Sequence, residues 1–92
     1  MSRSKRHTLR NRDLRAGRRM HALRGARQRY GQYLTMADLD VISEMIRSGE
    51  GRCVEVKSRT VTIWDVTYRG VEMRVAYSKK WGMPLSFYEV YD

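Results

Sequence analysis

Val61-Thr62-Ile63-Trp64-Asp65-Val66-Thr67-Tyr68-Arg69-Gly70-Val71-Glu72-Met73-Arg74-Val75-Ala76-Tyr77 is the stretch that decides the fold. Its first eight residues are rich in β-branched and aromatic side chains, which suit a pleated, half-buried surface. Its last seven alternate, with Val71, Met73, Val75 and Tyr77 on one face and Glu72, Arg74 and Ala76 on the other. Successive strand side chains point to opposite faces, so this pattern predicts two strands. Arg69-Gly70 between them is a two-residue loop with glycine second, a hairpin signal, although arginine is not the favoured first residue.

Working outward, Val54 and Val56 alternate with Glu55 and Lys57 after Gly51, which adds a strand before the hairpin. Ser78 to Pro84 reads as a loop and Leu85 to Tyr91 as a last strand. Upstream of Gly51 the apolar spacing becomes helical. Leu39, Ile42, Met45 and Ile46 make one helical face; Thr35 is a good N-cap, Asp38 a favourable charge in the first turn, and Leu34 and Leu39 the two staple positions. Gly49 ends that helix. An earlier helix begins at Asn11, with Ala16, Met20, Leu23 and Tyr30 as its apolar positions, Arg27 interrupting them and Gly31 as its cap. Gly17 and Gly25 each weaken it by up to about 1 kcal/mol relative to alanine, so it needs tertiary support or a ligand. Residues 1–10 have no apolar period and read as a flexible basic arm on a single domain spanning 11–92. The fold class is α+β, with two N-terminal helices packed on one face of a four-stranded antiparallel sheet.

Ninety-two residues make one domain, and 41% hydrophobic residues give it a small core. No apolar run is long enough to span a membrane, and the basic N-terminus has no apolar stretch behind it to make a secretory signal. A lone cysteine, Cys53, forms no internal disulfide. These features place the chain in the cytoplasm, away from any membrane.

The charge is segregated. The chain carries +9 overall. Residues 1–32 hold eleven Lys+Arg, ten of them arginine, and a single acid, Asp13, for a charge of +10; residues 33–92 hold eight bases and nine acids. Arginine presents a flat fork of donors that matches phosphate and stacks on bases. The expected partner is therefore RNA or DNA, held by Arg15, Arg18, Arg19, Arg24, Arg27 and Arg29. Lys79, Lys80 and Trp81 form a second candidate contact, with the indole either stacking on a base or plugging the open end of the core. The alternative partner is an acidic protein, a host factor or an antitoxin-like chain, met by the marginal first helix.

Two histidines and one cysteine do not pair at metal-ligand spacing, and there is no phosphate loop and no dinucleotide fingerprint, so neither metal nor cofactor is expected. What remains is metal-free chemistry on a polyanion. Cleaving RNA requires activation of its own 2′-hydroxyl, charge relief at phosphorus and a proton for the leaving group. His21, Arg74 and Tyr91 are residues of the right type. The plainer readings are a surface helix residue for His21, a cross-strand ion pair with a glutamate for Arg74 and an ordinary strand residue for Tyr91; Arg27 either lines a cleft or pairs with Asp38 or Glu44.

Two stretches carry a resemblance. His21-Ala22-Leu23-Arg24-Gly25-Ala26-Arg27-Gln28-Arg29-Tyr30-Gly31, leading into Leu34-Thr35-Met36-Ala37-Asp38-Leu39, is similar to the helical opening of BrnT-like small proteins of phage or toxin loci. Gly70 to Tyr77 resembles the Gly, Arg-Val-x-Tyr strand of RelE-like ribonuclease toxins. That resemblance implies a small toxin-type fold, metal-independent endoribonuclease activity, a phosphate-stabilising role for Arg74 and assistance from Tyr91. The chain departs from the family in opening without a strand, and in carrying its basic cluster at the front rather than near the C-terminus.

Overall fold

The computed structural model describes residues 2–89, with side chains from residue 14 onward. Helices α1 (Ser2–Tyr30) and α2 (Met36–Arg47) precede strands β1 (Arg52–Val56), β2 (Val61–Tyr68), β3 (Val71–Ser78) and β4 (Met83–Tyr88). The strands form one antiparallel sheet in the order β1-β2-β3-β4, so the α+β class and the meander are as expected. The helix expected from Asn11 starts at Ser2, so its backbone runs through the stretch read as an arm. The last strand begins two residues earlier than expected and ends at Tyr88; Tyr91 lies outside the described residues.

The core forms where one face of the sheet meets both helices. Val75 stands beside Trp64 on β2 and Phe87 on β4, and Met73 beside Val66, so one parity of three strands makes a continuous apolar surface. Leu39, Ile42 and Ile46 of α2 cover it, joined by Leu34 from the staple position. Phe87, Leu39 and Ile42 are at most 1% exposed, and burial of each contributes about 1.5–3 kcal/mol.

α1 packs on the sheet through a different stripe from the one its larger apolar residues suggested. Ala22 and Ala26 are fully buried, whereas Ala16 is exposed and Met20 is 53% exposed. The reason is closeness. A side chain at Gly25 would begin 3.5 Å from the backbone nitrogen of Phe87, so the helix lies almost directly on β4 and only small residues fit beneath it. Leu23 and Tyr30 flank this seam half-buried.

Hydrogen bonds fix the helices in place. The Tyr30 hydroxyl accepts from the backbone N–H of Arg74 at 3.1 Å and donates to the carbonyl of Tyr88, so the end of α1 is stitched between β3 and β4. Asp38 holds α2. Its Oδ2 accepts from the Thr35 N–H at 2.8 Å and its own N–H donates to the Thr35 hydroxyl, closing a capping box. Its Oδ1 accepts from the Tyr68 hydroxyl at 2.6 Å and from Arg69 at 2.9 Å. Arg69 takes the left-handed backbone (φ 53°) that the tight turn requires, with Gly70 beside it at φ 77°. The ion pair with Asp38, and a guanidinium 5.2 Å from the Tyr68 ring, offset the cost of placing arginine there.

Candidate nucleic-acid interface

The hairpin between β3 and β4 presents the second basic cluster. The Gly82 N–H donates to the Ser78 carbonyl at 2.8 Å, and the Trp81 N–H donates to the buried Ser78 hydroxyl at 3.0 Å. Gly82 sits at φ 65°, a conformation glycine takes without strain. This turn holds Trp81 half-buried at its tip, with Lys79 and Lys80 exposed beside it.

α1 passes the same point. Arg15 and Arg18 lie one turn apart on the side that carries Ala22 and Ala26 further along. Their guanidinium carbons stand 5.5 and 5.3 Å from the centroid of the Trp81 ring, and the Lys80 ammonium 5.9 Å from it. All three fall within cation–π range. The ion pairs among the described residues engage Arg19, Arg47, Arg52, Arg69 and Arg74, and none of them takes up Arg15, Arg18, Lys79 or Lys80. Two sequence-distant cationic groups therefore converge on one indole with no described carboxylate to neutralise them. The field there is strongly positive and suited to an anion.

The other predicted contacts are dispersed around the helix. Arg19 reaches Asp40 of α2 at 3.5 Å, while its Nε is buried without a partner. Arg27 is exposed and stacks 4.8 Å from the Tyr33 ring; it pairs with neither Asp38 nor Glu44, whose carboxylates meet Arg69 and Arg47 instead. Arg24 lines a shallow surface hollow with Met20, Leu23, Arg27, Tyr33 and Leu34, and Arg29 another with Gln28, Tyr88 and Glu89. Trp81 is half-buried and stands outside the core cluster, with guanidinium groups near its ring.

Of the residues considered for catalysis, Tyr91 lies outside the described residues, and His21 and Arg74 lie on different faces of the molecule. Arg74 lies on the face of the sheet away from the helices, where its Nε and Nη2 meet the two oxygens of Asp65 at 2.7 and 2.9 Å. Asp65 is its direct neighbour across the β2–β3 ladder and also accepts from Arg52 at 3.1 Å. This is a cross-strand ion pair, as in the plainer reading, but its partner is a buried aspartate and not a glutamate. His21 is exposed on α1. It lines an open groove of about 430 Å³ between α1 and β4 with Leu14, Gly17, Arg18, Leu85 and Ser86. Sequence reasoning missed this groove; its one legible sign is Gly17, a glycine inside a helix. Among the described residues no group of His, Cys, Asp or Glu is placed to hold a metal ion, and no helix is long and apolar enough to cross a membrane.

Burial opposes ionisation of Asp38 and Asp65, yet both are held below the usual carboxylate range. The Tyr68 hydroxyl is the main cause for Asp38 and the Arg74 guanidinium for Asp65. A carboxylate whose folded pKa is depressed adds stability that is fully present above its unfolded pKa, near 3.9, and is lost as pH falls through the folded value. Thermal unfolding followed by circular dichroism is expected to show a melting temperature that holds down to about pH 5 and drops below pH 4. Asp65→Asn should melt lower at neutral pH and show a flatter acid drop; an acid slope identical to that of the parent would rule out this assignment.

No protein-family description, curated protein or solved structure matches this chain.

Proposed function

We propose that the protein binds nucleic acid through its phosphate backbone, with Arg15 and Arg18 of α1 and Lys79 and Lys80 of the β3–β4 turn as the central contacts. The convergence of Arg15, Arg18 and Lys80 on Trp81, with Lys79 exposed beside them and no carboxylate partner among the described residues, is the observation that carries the reading. A solvated tail that merely happens to be basic has no reason to bring its arginines against a second basic loop. Arg19, Arg24, Arg27 and Arg29 extend the positive surface along the helix. A cytoplasmic setting fits this reading. Arg74 is committed to Asp65, and a phosphate-stabilising role in RNA cleavage would require that pair to open.

A salt titration tests the reading. Neutralising phosphates releases counterions, so log affinity for RNA or DNA is expected to fall linearly with log salt, with a slope of about −0.7 to −0.9 for each phosphate engaged. Replacing Lys79 and Lys80 together with alanine should make that slope shallower by roughly one to two. A protein that binds no nucleic acid at low salt, or an acidic protein partner captured with a nearly flat slope, defeats the proposal.

A further inference from the structure

Gly17 has no structural duty in the fold. It is exposed, and a Cβ built on it meets nothing within 4 Å. Its φ is not positive, unlike those of Gly31, Gly49, Gly70 and Gly82. It stays in a helix at a cost of up to about 1 kcal/mol relative to alanine. Gly25, eight residues on, shows the contrast: there the closeness of Phe87 restricts the position to small residues. Gly17 instead borders the open groove between α1 and β4, so a side chain at this position would project into that space.

The composition of the groove says what it suits. Leu14 and Leu85 supply apolar walls, and His21 and Ser86 supply a ring and a hydroxyl. Arg18 belongs both to this groove and to the cation cluster at Trp81. An open, largely apolar slot with a few polar groups, beside cations that no ion pair among the described residues takes up, suits an aromatic ring joined to a phosphate. At about 430 Å³ it lies at the small end of ordinary ligand pockets. Bases inside a duplex are stacked and cannot enter such a slot, whereas those of a single strand can be splayed out.

We propose that this groove seats one unstacked base of a single-stranded nucleic acid, with the adjoining phosphate held by Arg18 together with Arg15 and Lys80. The assignment rests on the nucleic-acid reading above and specifies its substrate class. Gly17 acts by leaving room for the base.

Gly17→Leu separates this role from a structural one. Leucine favours a helix more than glycine and meets no neighbour there, so the variant should melt at least as high as the parent. Binding is measured by fluorescence anisotropy with labelled single-stranded RNA, single-stranded DNA and a hairpin duplex. The parent is expected to prefer the single strands. The variant should bind them about tenfold more weakly, the scale of one lost stacking contact, with duplex binding unchanged. Leu14→Gln, which alters an exposed wall without changing charge, should weaken single-strand binding in the same direction. Parent affinity for the duplex equal to or above that for the single strands overturns the proposal, as does full single-strand affinity in both variants. In either case the backbone-binding reading stands, because duplex and single strand alike would still be bound. Absence of binding to all three probes at low salt overturns both.

Discussion

Asp38→Ala is expected to lower stability by about 3 kcal/mol, the sum of a lost helix cap, a part-buried tyrosine hydroxyl left without its acceptor and the ion pair lost from Arg69. In a domain of this size that loss moves the melting temperature by roughly 15 °C. The size follows from what one carboxylate does. Its Oδ2 closes the first turn of α2, and its Oδ1 receives Tyr68 and Arg69 from the β2–β3 turn, so helix and hairpin share a fastening. Truncation also removes the ion pair from Arg69, which leaves the Tyr68 ring contact alone to offset its left-handed backbone. Asp40→Ala is the natural comparison. Asp40 is exposed and meets Arg19 at 3.5 Å, and exposed pairs of this kind contribute about 0.2–1 kcal/mol. Denaturant or thermal unfolding of both variants decides the matter; a loss for Asp38→Ala no larger than that for Asp40→Ala refutes the shared fastening.

Replacing Arg15, Arg18, Lys79 and Lys80 together with alanine should reduce nucleic-acid affinity by roughly a thousandfold near 0.1 M salt, because about four phosphate contacts and their counterion release disappear at once. The slope of log affinity against log salt should become shallower by about 3 to 4. Folding should survive, since these residues make no ion pair among the described residues and their removal relieves repulsion between like charges. Arg24→Ala combined with Arg27→Ala takes charge from elsewhere on α1, where Arg27 stacks on Tyr33. If that pair costs as much slope per residue as the four, binding is spread around the helix and the convergence at Trp81 does not define the interface.

The sheet was legible because its signals are local. Alternation from Val71 to Tyr77 and the Arg69-Gly70 punctuation need no knowledge of distant residues. The same holds for α2, where Thr35, Asp38 and the staple leucines are close in sequence. The stripe by which α1 docks was misread because apolar size is a poor guide where two backbones approach closely. There Ala22, Gly25 and Ala26 pack, while the larger Met20 stays in water. The basic residues of α1 and of the β3–β4 turn are legible in the sequence as types, but nothing in their spacing tells that Arg15 and Arg18 reach Trp81, since that depends on α1 running alongside β4. Arg74 illustrates the reverse. Its partner Asp65 sits nine residues upstream, opposite it in the hairpin register, so the ion pair was available from the register alone and competed with any catalytic assignment.

The thin seam beneath α1 has a mechanical consequence. With only Ala22, Gly25 and Ala26 between the helix and β4, there is no upholstery of long side chains to absorb a change in height. The helix is anchored behind the seam by the Tyr30 hydroxyl, and Arg15 lies about 10 Å ahead of Ala22 along the axis. The seam is thus a fulcrum and the forward part of α1 a lever, so the gap between its guanidinium groups and Trp81 is set by methyl-sized contacts more than a turn away.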